Sequence, residues 1–262
     1  MKAGVRAHDF GPLTPAELRK KLDEYKADTI QLALMKSFPH ITSFTDVSGD
    51  DIEEIKRQNF DIAVLGCYID MATSDSVKRK KQIEDFSAAL RIAKELGASC
   101  VASETSDCTD ADREDQFERV CETIEGILPV AHETGVPIAI EPVIRHTINT
   151  PAMVERLLTR FGNDEYLRLL FDPVNLLKDD LSNKTVSFFE SYIRKYEKKF
   201  MAMHVKDIVN LERVPLGTGD MALFHPVLAD LLTVSIPLIR EELPPDSLAE
   251  DLAFIRRTYS RM

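Results

Sequence analysis

Short apolar runs alternate with amphipathic stretches along the whole chain, and this alternation predicts an α/β fold. Eight runs have the length and composition of buried strands, and a helical pattern follows each. Because a closed (β/α)8 barrel needs eight such units, we predict that fold. Runs that are mostly apolar, rather than alternating, fit a sheet covered on both faces. The predicted strands comprise residues 3–8, 29–35, 62–69, 99–104, 138–141, 169–172, 202–205 and 236–241.

Several helix starts have recognisable capping sequences. Residues 14–17 (Thr-Pro-Ala-Glu) combine an N-cap threonine, a proline at the first helical position and a capping-box glutamate. Residues 150–151 (Thr-Pro) predict a second start without the box glutamate, and residues 247–250 (Ser-Leu-Ala-Glu) predict a second full box. The helical pattern at 113–132 contains Pro129, which should kink or divide that helix.

Four of the predicted strands have a side chain that can bind a metal at or near their carboxyl end. Side chains alternate between the two faces of a strand, so each of the four shares a face with the apolar residue two positions earlier. If those apolar residues point into the barrel, the four polar groups converge at the mouth where the strands end, which is where parallel barrels have their active sites. The four residues and their apolar neighbours are Glu141 with Ala139, Asp172 with Leu170, His204 with Ala202, and Glu241 with Ile239.

The chemistry of these four residues indicates a divalent metal. Three carboxylates at one mouth would repel one another, and a bound divalent cation removes that repulsion. Three oxygen donors and one imidazole, without a thiolate, favour Mn²⁺, with Mg²⁺, Co²⁺ or Zn²⁺ as alternatives and Fe²⁺ also compatible. Taken singly, each residue could instead be a helix cap, an ion-pair partner or, for His204, a core histidine. Their recurrence at four strand ends favours one metal site.

Composition narrows the class of protein. The chain has 262 residues, which suits one large domain, so we predict a single domain over residues 1–262. A formal charge of −11 argues against a broad nucleic-acid or anionic-membrane surface, although it leaves a small anionic substrate open. We expect no signal peptide and no membrane span, and therefore a cytoplasmic protein. The four cysteines have no CxxC spacing, so we predict reduced and mostly buried thiols.

Five sequence strings and a glycine-rich loop, taken in order, carry a family resemblance. The strings are IAIEP, HTINTP, FDPVNLL, MHVKD and PLIREEL, with the loop before the last. The chain resembles the xylose isomerase-like TIM-barrel superfamily, whose members include sugar-phosphate isomerases, ketose 3-epimerases, hydroxypyruvate isomerase, inosose dehydratase and endonuclease IV. The resemblance implies that one divalent metal is bound by Glu141, Asp172, His204 and Glu241.

Two departures from the epimerase pattern concern residues close to these ligands. Asn175 stands where those branches often have a histidine; an asparagine can hydrogen-bond a sugar hydroxyl but cannot act as an imidazolium. An arginine expected shortly after the strand-seven histidine is missing, and Lys206 and Arg213 are the nearest cations. Residues 216–220 (Leu-Gly-Thr-Gly-Asp) do not form a dinucleotide fingerprint and are predicted to form a tight turn or loop near the site.

The predicted function is a metal-dependent isomerase or epimerase of a sugar or sugar phosphate. A divalent cation stabilises the enediolate formed beside a carbonyl, and Glu141 and Glu241 are the hypothesised acid/base pair. Return of the proton to the opposite face gives an epimer, whereas return to the neighbouring carbon moves the carbonyl. The predicted substrate contacts are His8, Gln31, Glu104, His146, Asn175 and Lys206.

Three alternatives remain open at this point. A keto-polyol dehydratase of the inosose type would use the same enolisation and then expel a hydroxyl. A phosphodiesterase like endonuclease IV is disfavoured, because that branch is histidine-rich and this acidic chain has six histidines. A non-catalytic carbohydrate-binding barrel would not need the metal-binding set. The expected partner is a small carbohydrate, with no nucleic acid and no membrane, and association through the outer helices would allow a homo-oligomer.

Overall fold

The computed structural model describes residues 1–178, 180–242 and 245–261, and these residues form a barrel of eight parallel strands. The barrel closes because β10 pairs in parallel with both β7 and β1. This confirms the predicted (β/α)8 TIM barrel. Two further short strands, β8 and β9, form an antiparallel hairpin after β7. The strands are β1 Ala3–Arg6, β2 Thr29–Leu32, β3 Ile62–Gly66, β4 Val101–Glu104, β5 Ile138–Glu141, β6 Leu167–Phe171, β7 Phe200–Val205, β8 Asp207–Val209, β9 Glu212–Val214 and β10 Leu238–Arg240.

The helices surround the barrel, and their apolar faces pack on the outside of the sheet. No described helix is long and apolar enough to cross a membrane. Short 3₁₀ segments lie at Ala7–Phe10, Phe44–Asp46, Glu197–Lys199 and Pro245–Ser247. The helices are α1 Pro15–Tyr25, α2 Leu34–Ser37, α3 Gly49–Arg57, α4 Ser76–Leu96, α5 Arg113–Thr134, α6 Pro151–Arg160, α7 Val186–Tyr196, α8 Phe224–Leu231 and α9 Leu248–Thr258.

The first three strands are shorter than predicted. Strand β1 ends at Arg6, so His8 lies in the 3₁₀ turn that follows it. Strand β2 ends at Leu32, and the buried Leu34 begins α2 instead of extending the strand. Apolar residues continue into these turns because the turns pack into the core, so an apolar run overestimates the strand.

Two of the capping predictions are confirmed. The Thr14 hydroxyl accepts from the backbone N–H of Glu17, whose carboxylate accepts from Thr14 in return. The Thr150 hydroxyl accepts from the backbone N–H of Met153 at the start of α6. Both helices therefore begin where the local sequence predicts.

The capping prediction at Ser247 is wrong, and of the two outcomes expected at Pro129, a kink or a division, the division does not occur. Ser247 precedes α9, but its hydroxyl donates to the buried Asp251 carboxylate instead of capping the helix. The reason is that Asp251 also accepts from Arg240 of β10, and the Ser247 side chain is oriented towards this buried ion pair. Helix α5 is not divided, since it runs continuously from Arg113 to Thr134 across Pro129.

A separate cluster of buried apolar residues, half of them alanine, fills the centre of the barrel. They include all four apolar neighbours of the predicted metal ligands, which confirms that these point inward. Three of the four cysteines are buried and all are free thiols, as predicted. The interior cluster comprises Ala63, Val64, Cys100, Ala102, Ala139, Leu170, Ala202 and Ile239.

Gly4 allows β1 and β2 to approach closely. A Cβ at this position would lie 2.6 Å from the Thr29 carbonyl oxygen and 2.8 Å from Ile239 Cδ1. Gly4→Ala should therefore lower the free energy of unfolding by about 1–3 kcal/mol, the usual cost of overpacking. Gly49→Ala is the matched control, because a Cβ at Gly49 meets no atom within 4 Å. Equal urea midpoints for the two variants would contradict this account of the β1–β2 contact.

Candidate metal centre

The four predicted ligands lie together at the carboxyl end of the barrel. Glu141 is the last residue of β5, His204 lies within β7, and Asp172 and Glu241 directly follow β6 and β10. One potential ligand atom from each residue lies within 4.8 Å of the others, and all four side chains are buried. The convergence expected from strand alternation is therefore present.

His204 directs one ring nitrogen into the centre. Its Nδ1 lies 2.9 Å from Glu241 Oε2, 3.3 Å from Glu141 Oε1 and 3.5 Å from Asp172 Oδ2. Its Nε2 lies 2.6 Å from the amide oxygen of Gln31, which can only accept, so Nε2 is the nitrogen that carries the proton. Gln31 in turn donates to the Tyr68 hydroxyl. This chain of bonds fixes the imidazole with Nδ1 towards the carboxylates, as a neighbouring polar group does for metal-binding histidines.

Two of the carboxylates are oriented by donors outside the centre. Asp172 Oδ1 accepts from the backbone N–H groups of Val174 and Asn175, which leaves Oδ2 facing inward. That buried Oδ2 accepts no hydrogen bond of normal geometry from the described residues. Glu141 Oε1 accepts from the Asn175 side chain at 2.7 Å. A buried carboxylate oxygen that faces two other carboxylates, an imidazole and the Lys206 ammonium at 2.7 Å fits a position beside a cation.

Lys206 and Arg6 balance the charge of this centre. The Lys206 ammonium is only 1% exposed and lies 2.7 Å from Asp172 Oδ2 and 3.0 Å from Glu241 Oε2. Arg6 donates to Glu241 Oε1 at 2.7 Å and also to Asp9. Three carboxylates, one divalent cation and the Lys206 ammonium sum to zero, and a neutral sum is what burial requires.

The pKa values follow from burial and these contacts. Burial raises the pKa of the Glu141 carboxyl. For Glu241 burial acts the same way, but the charges of His204, Lys206 and Arg6 outweigh it and hold the pKa well below its usual value. Burial would lower the pKa of His204, yet the carboxylates of Glu241 and Glu141 raise it well above the ordinary value. In the metal-free protein His204 therefore carries a proton on Nδ1 as well as the one on Nε2.

A cleft of about 360 Å³ opens onto this centre. Four of the six predicted substrate contacts line it, whereas Gln31 and His8 are not among the described residues that do. Gln31 lies behind His204, and His8 is half-buried in the turn after β1 with a pKa lowered to about 4 by burial and by Arg6. The lining residues include Arg6, Tyr68, Glu104, His146, Asn175, Lys206, Arg213 and Glu242.

Glu104 and His146 meet at the outer part of the cleft. Glu104 pairs in register with Glu141 across β4 and β5. Burial and the carboxylates of Glu141 and Glu241 raise the pKa of Glu104 to about 7. His146 Nδ1 lies 3.7 Å from Glu104 Oε2, and its Nε2 lies 3.2 Å from Asp107 Oδ1.

Seven of the described lining residues were not predicted from the sequence as site residues, among them Arg6, Tyr68 and Glu242. An arginine inside the otherwise apolar β1 was a usable indication of a buried partner. Tyr68 follows β3 and had no such indication, since tyrosine is common in buried strands. Glu242 is adjacent to Glu241 and accepts from Arg213 of β9 through two nitrogens.

The glycine-rich loop is the tight turn that its sequence predicts. The buried Asp207 carboxylate accepts from the backbone N–H groups of Gly217, Gly219 and Met221. Gly217 has φ of 79°, a conformation that favours glycine. Because Asp207 already accepts from the amides of both glycines, this turn supports the β8–β9 hairpin and does not present those amides to a ligand.

Comparison with known proteins shows the family. The sequence profile of the xylose isomerase-like TIM barrel matches residues 9–258, and the chain belongs to this family. The comparison with curated proteins finds no match.

Several solved structures share the fold. The 3-keto-D-glucoside 4-epimerase from E. coli has a TM-score of 0.78 and 16% identity over 98% of this chain and 99% of its own. D-psicose 3-epimerase has a TM-score of 0.75 and 16% identity over 99% of both chains. The IolI protein with a bound zinc atom has a TM-score of 0.74 and 18% identity over 98% of this chain and 96% of its own. At these identities the likeness establishes the fold.

Removal of the Lys206 charge should destabilise the metal-free protein. Lys206→Met leaves Asp172 and Glu241 without their ammonium partner, and breaking a buried pair typically costs about 3–5 kcal/mol. We expect thermal unfolding in EDTA to show this loss, and added Mn²⁺ to restore more stability to the variant than to the wild type. Lys21→Met, which removes an exposed pair with Glu24, should change little. Wild-type stability of Lys206→Met in EDTA would refute the charge balance.

Metal binding should strengthen as pH rises. Because the carboxylates raise the pKa of His204, a metal must displace its proton, and this competition weakens as pH rises towards that pKa. One displaced proton gives an apparent affinity that increases by about tenfold per pH unit. Titration calorimetry with Mn²⁺ from about pH 6 to about pH 8, in buffers of different ionisation enthalpy, measures the released proton directly. An affinity independent of pH would show that His204 is not a ligand.

Proposed function

We propose that this protein is a divalent-metal-dependent isomerase or epimerase of a sugar or sugar phosphate. The observation that carries the proposal is the buried set of Glu141, Asp172, His204 and Glu241, with hydrogen-bond partners outside the set that orient each side chain. The sugar epimerases among the structural relatives support the substrate class, and the IolI structure, which contains a zinc atom, supports a metal in this fold.

These four residues would hold the metal through one atom each, with His204 contributing Nδ1. When bound, the ion would supply a Lewis acid that stabilises the negative charge of an enediolate. Mn²⁺ is our first expectation from the donor set, and Mg²⁺, Co²⁺ or Zn²⁺ are the alternatives. Gln31 is then a positioning residue, because its amide oxygen holds the imidazole in the orientation that frees Nδ1.

Glu141 and Glu241 are the proposed acid/base pair. They lie on β5 and β10, which β6 and β7 separate in the barrel, so they approach a bound substrate from different sides. One oxygen of each is held by a donor, Asn175 for Glu141 and Arg6 for Glu241. One carboxylate would take the proton from the carbon beside the carbonyl. The other would return a proton to the opposite face, or to the neighbouring carbon.

The proposed substrate contacts are Glu104, His146, Asn175 and Lys206, which line the cleft. Lys206 is the nearest cation to the ligand oxygens and could donate to a substrate oxygen from its position beside Asp172 and Glu241. His8 stays a prediction, since it lies in the turn after β1 and outside the residues that line the cleft.

A keto-polyol dehydratase is the second candidate, and Glu104 favours it. Expulsion of a hydroxyl after enolisation needs a proton for the leaving oxygen. Glu104 is a third carboxyl at the mouth, in register with Glu141, and forms no ion pair with a lysine or arginine among the described residues. The two candidates differ in product. A dehydratase releases water, so its product has one hydroxyl fewer, and the carbon NMR spectrum shows this change.

Deuterium exchange tests the proposal directly. Mn²⁺-loaded protein in D₂O would be incubated with ketoses, ketose phosphates and inososes, and NMR would follow deuterium entering the carbon beside the carbonyl. Glu141→Gln and Glu241→Gln should each lower the exchange rate by about 100-fold or more, the range for loss of a general acid or base. Glu250→Gln, on the exposed face of α9, is the matched control and should keep the full rate.

Two results would contradict the proposal. Full exchange in either glutamine variant would remove that glutamate from the acid/base pair. No exchange with any substrate, despite a bound metal, would favour hydrolase chemistry or a substrate class outside the panel, whereas no bound metal and no exchange would favour the non-catalytic carbohydrate-binding barrel.

A further inference from the structure

The cleft over the metal centre continues into a second groove. This groove has a volume of about 320 Å³ and lies between the turns that follow β3 and β4. It shares Tyr68 and Glu104 with the cleft over the metal centre, so the two spaces adjoin at these side chains. A single sugar ring bound at the metal would leave the groove from Glu104 to Asp107 without contacts.

The groove has the chemistry of a sugar subsite. Its polar lining includes the carboxylates of Asp70, Glu104 and Asp107 and the hydroxyl of Ser106, and carboxylates accept readily from sugar hydroxyls. The Tyr68 ring adds an aromatic surface for the C–H groups of a sugar ring. No lysine, arginine or histidine is among the described residues that line it, so the lining offers no cation to a phosphate or carboxylate.

The walls of the groove are held in place by bonds on their outer side. Ser106 donates to Asp70 Oδ1 and accepts from the Ala72 backbone N–H, and Lys78 donates to Asp70 Oδ2. Asp107 is joined to His146 by a backbone bridge and by the 3.2 Å side-chain contact. The groove is therefore formed before any ligand binds, which reduces the cost of binding.

A buried polar atom at the junction has no partner among the described residues. His146 Nδ1 makes no hydrogen bond, although the side chain is only 10% exposed and lines the cleft 3.7 Å from Glu104. The junction therefore brings together the Tyr68 ring, the Glu104 carboxylate and, 3.7 Å from that carboxylate, the His146 imidazole.

We propose that the groove is a second sugar subsite and that the substrate is a neutral glycoside, with its reacting ring at the metal centre and its second ring between Tyr68 and Asp107. This inference rests on the proposed function and narrows its substrate class. The competing class is an anionic sugar, because the exposed Lys36 and Arg145 line the cleft over the metal centre.

A binding experiment with a groove-filling variant tests the inference. Titration calorimetry on the Mn²⁺-loaded protein would compare maltose and cellobiose with glucose, fructose and fructose 6-phosphate. Asp107→Trp places a large side chain at a position that is 84% exposed, so the fold should be retained. Asp110→Trp is the control, since Asp110 is 97% exposed and does not line the groove.

We expect one of the disaccharides to bind at least about tenfold more tightly than glucose, equivalent to about 1.4 kcal/mol. Asp107→Trp should abolish this advantage, whereas Asp110→Trp should keep it. Equal or tighter binding of fructose 6-phosphate, or a disaccharide advantage that survives Asp107→Trp, would overturn the inference. Deuterium exchange with monosaccharides but no disaccharide advantage would sink the glycoside subsite alone. Absence of both would sink the proposed function as well.

Discussion

The contact of the Lys206 ammonium with the carboxylates of Asp172 and Glu241 is the interaction on which the site depends. Three buried carboxylates within a few ångströms would each carry a desolvation cost of several kcal/mol and would repel one another. In the metal-free protein the positive charges of Lys206 and protonated His204 offset most of this cost. A divalent ion would replace the His204 proton and bring the sum to zero. The same charges would therefore serve both the folded protein without a metal and the proposed metal site.

The barrel makes this arrangement possible because neighbouring elements support each polar group. The inward residues below the centre are apolar, so the polar side chains gather at the mouth. Each ligand is then oriented by a neighbour from another element: Gln31 of β2 for His204, Arg6 of β1 for Glu241, and the turn after β6 for Asp172. Because rigid strands support these contacts, the ligands are placed before a metal binds.

Features that follow from the regular spacing of apolar residues could be predicted from the sequence. Contacts between residues far apart in the chain could not. The convergence of the four candidate ligands could be predicted because each ends an apolar run in phase with an inward residue, as Ala139 is with Glu141. Arg6 could not be assigned, since its partner Glu241 lies 235 positions further along the chain. The prediction that Ser247 caps α9 was wrong for a similar reason. Its hydroxyl donates to Asp251, which is paired with Arg240 of β10. Strand ends were overestimated where buried turns continue the apolar run.

Anomalous diffraction from crystals grown with Mn²⁺ tests the central claim most directly. The account predicts one strong anomalous peak per chain, within coordination distance of Glu141, Asp172, His204 Nδ1 and Glu241, with Lys206 retained beside Asp172. The absence of a peak among these four residues would contradict it. So would a peak elsewhere while Lys206 and His204 remain in contact with the carboxylates. The cluster would then be a buried ion-pair network and not a metal centre.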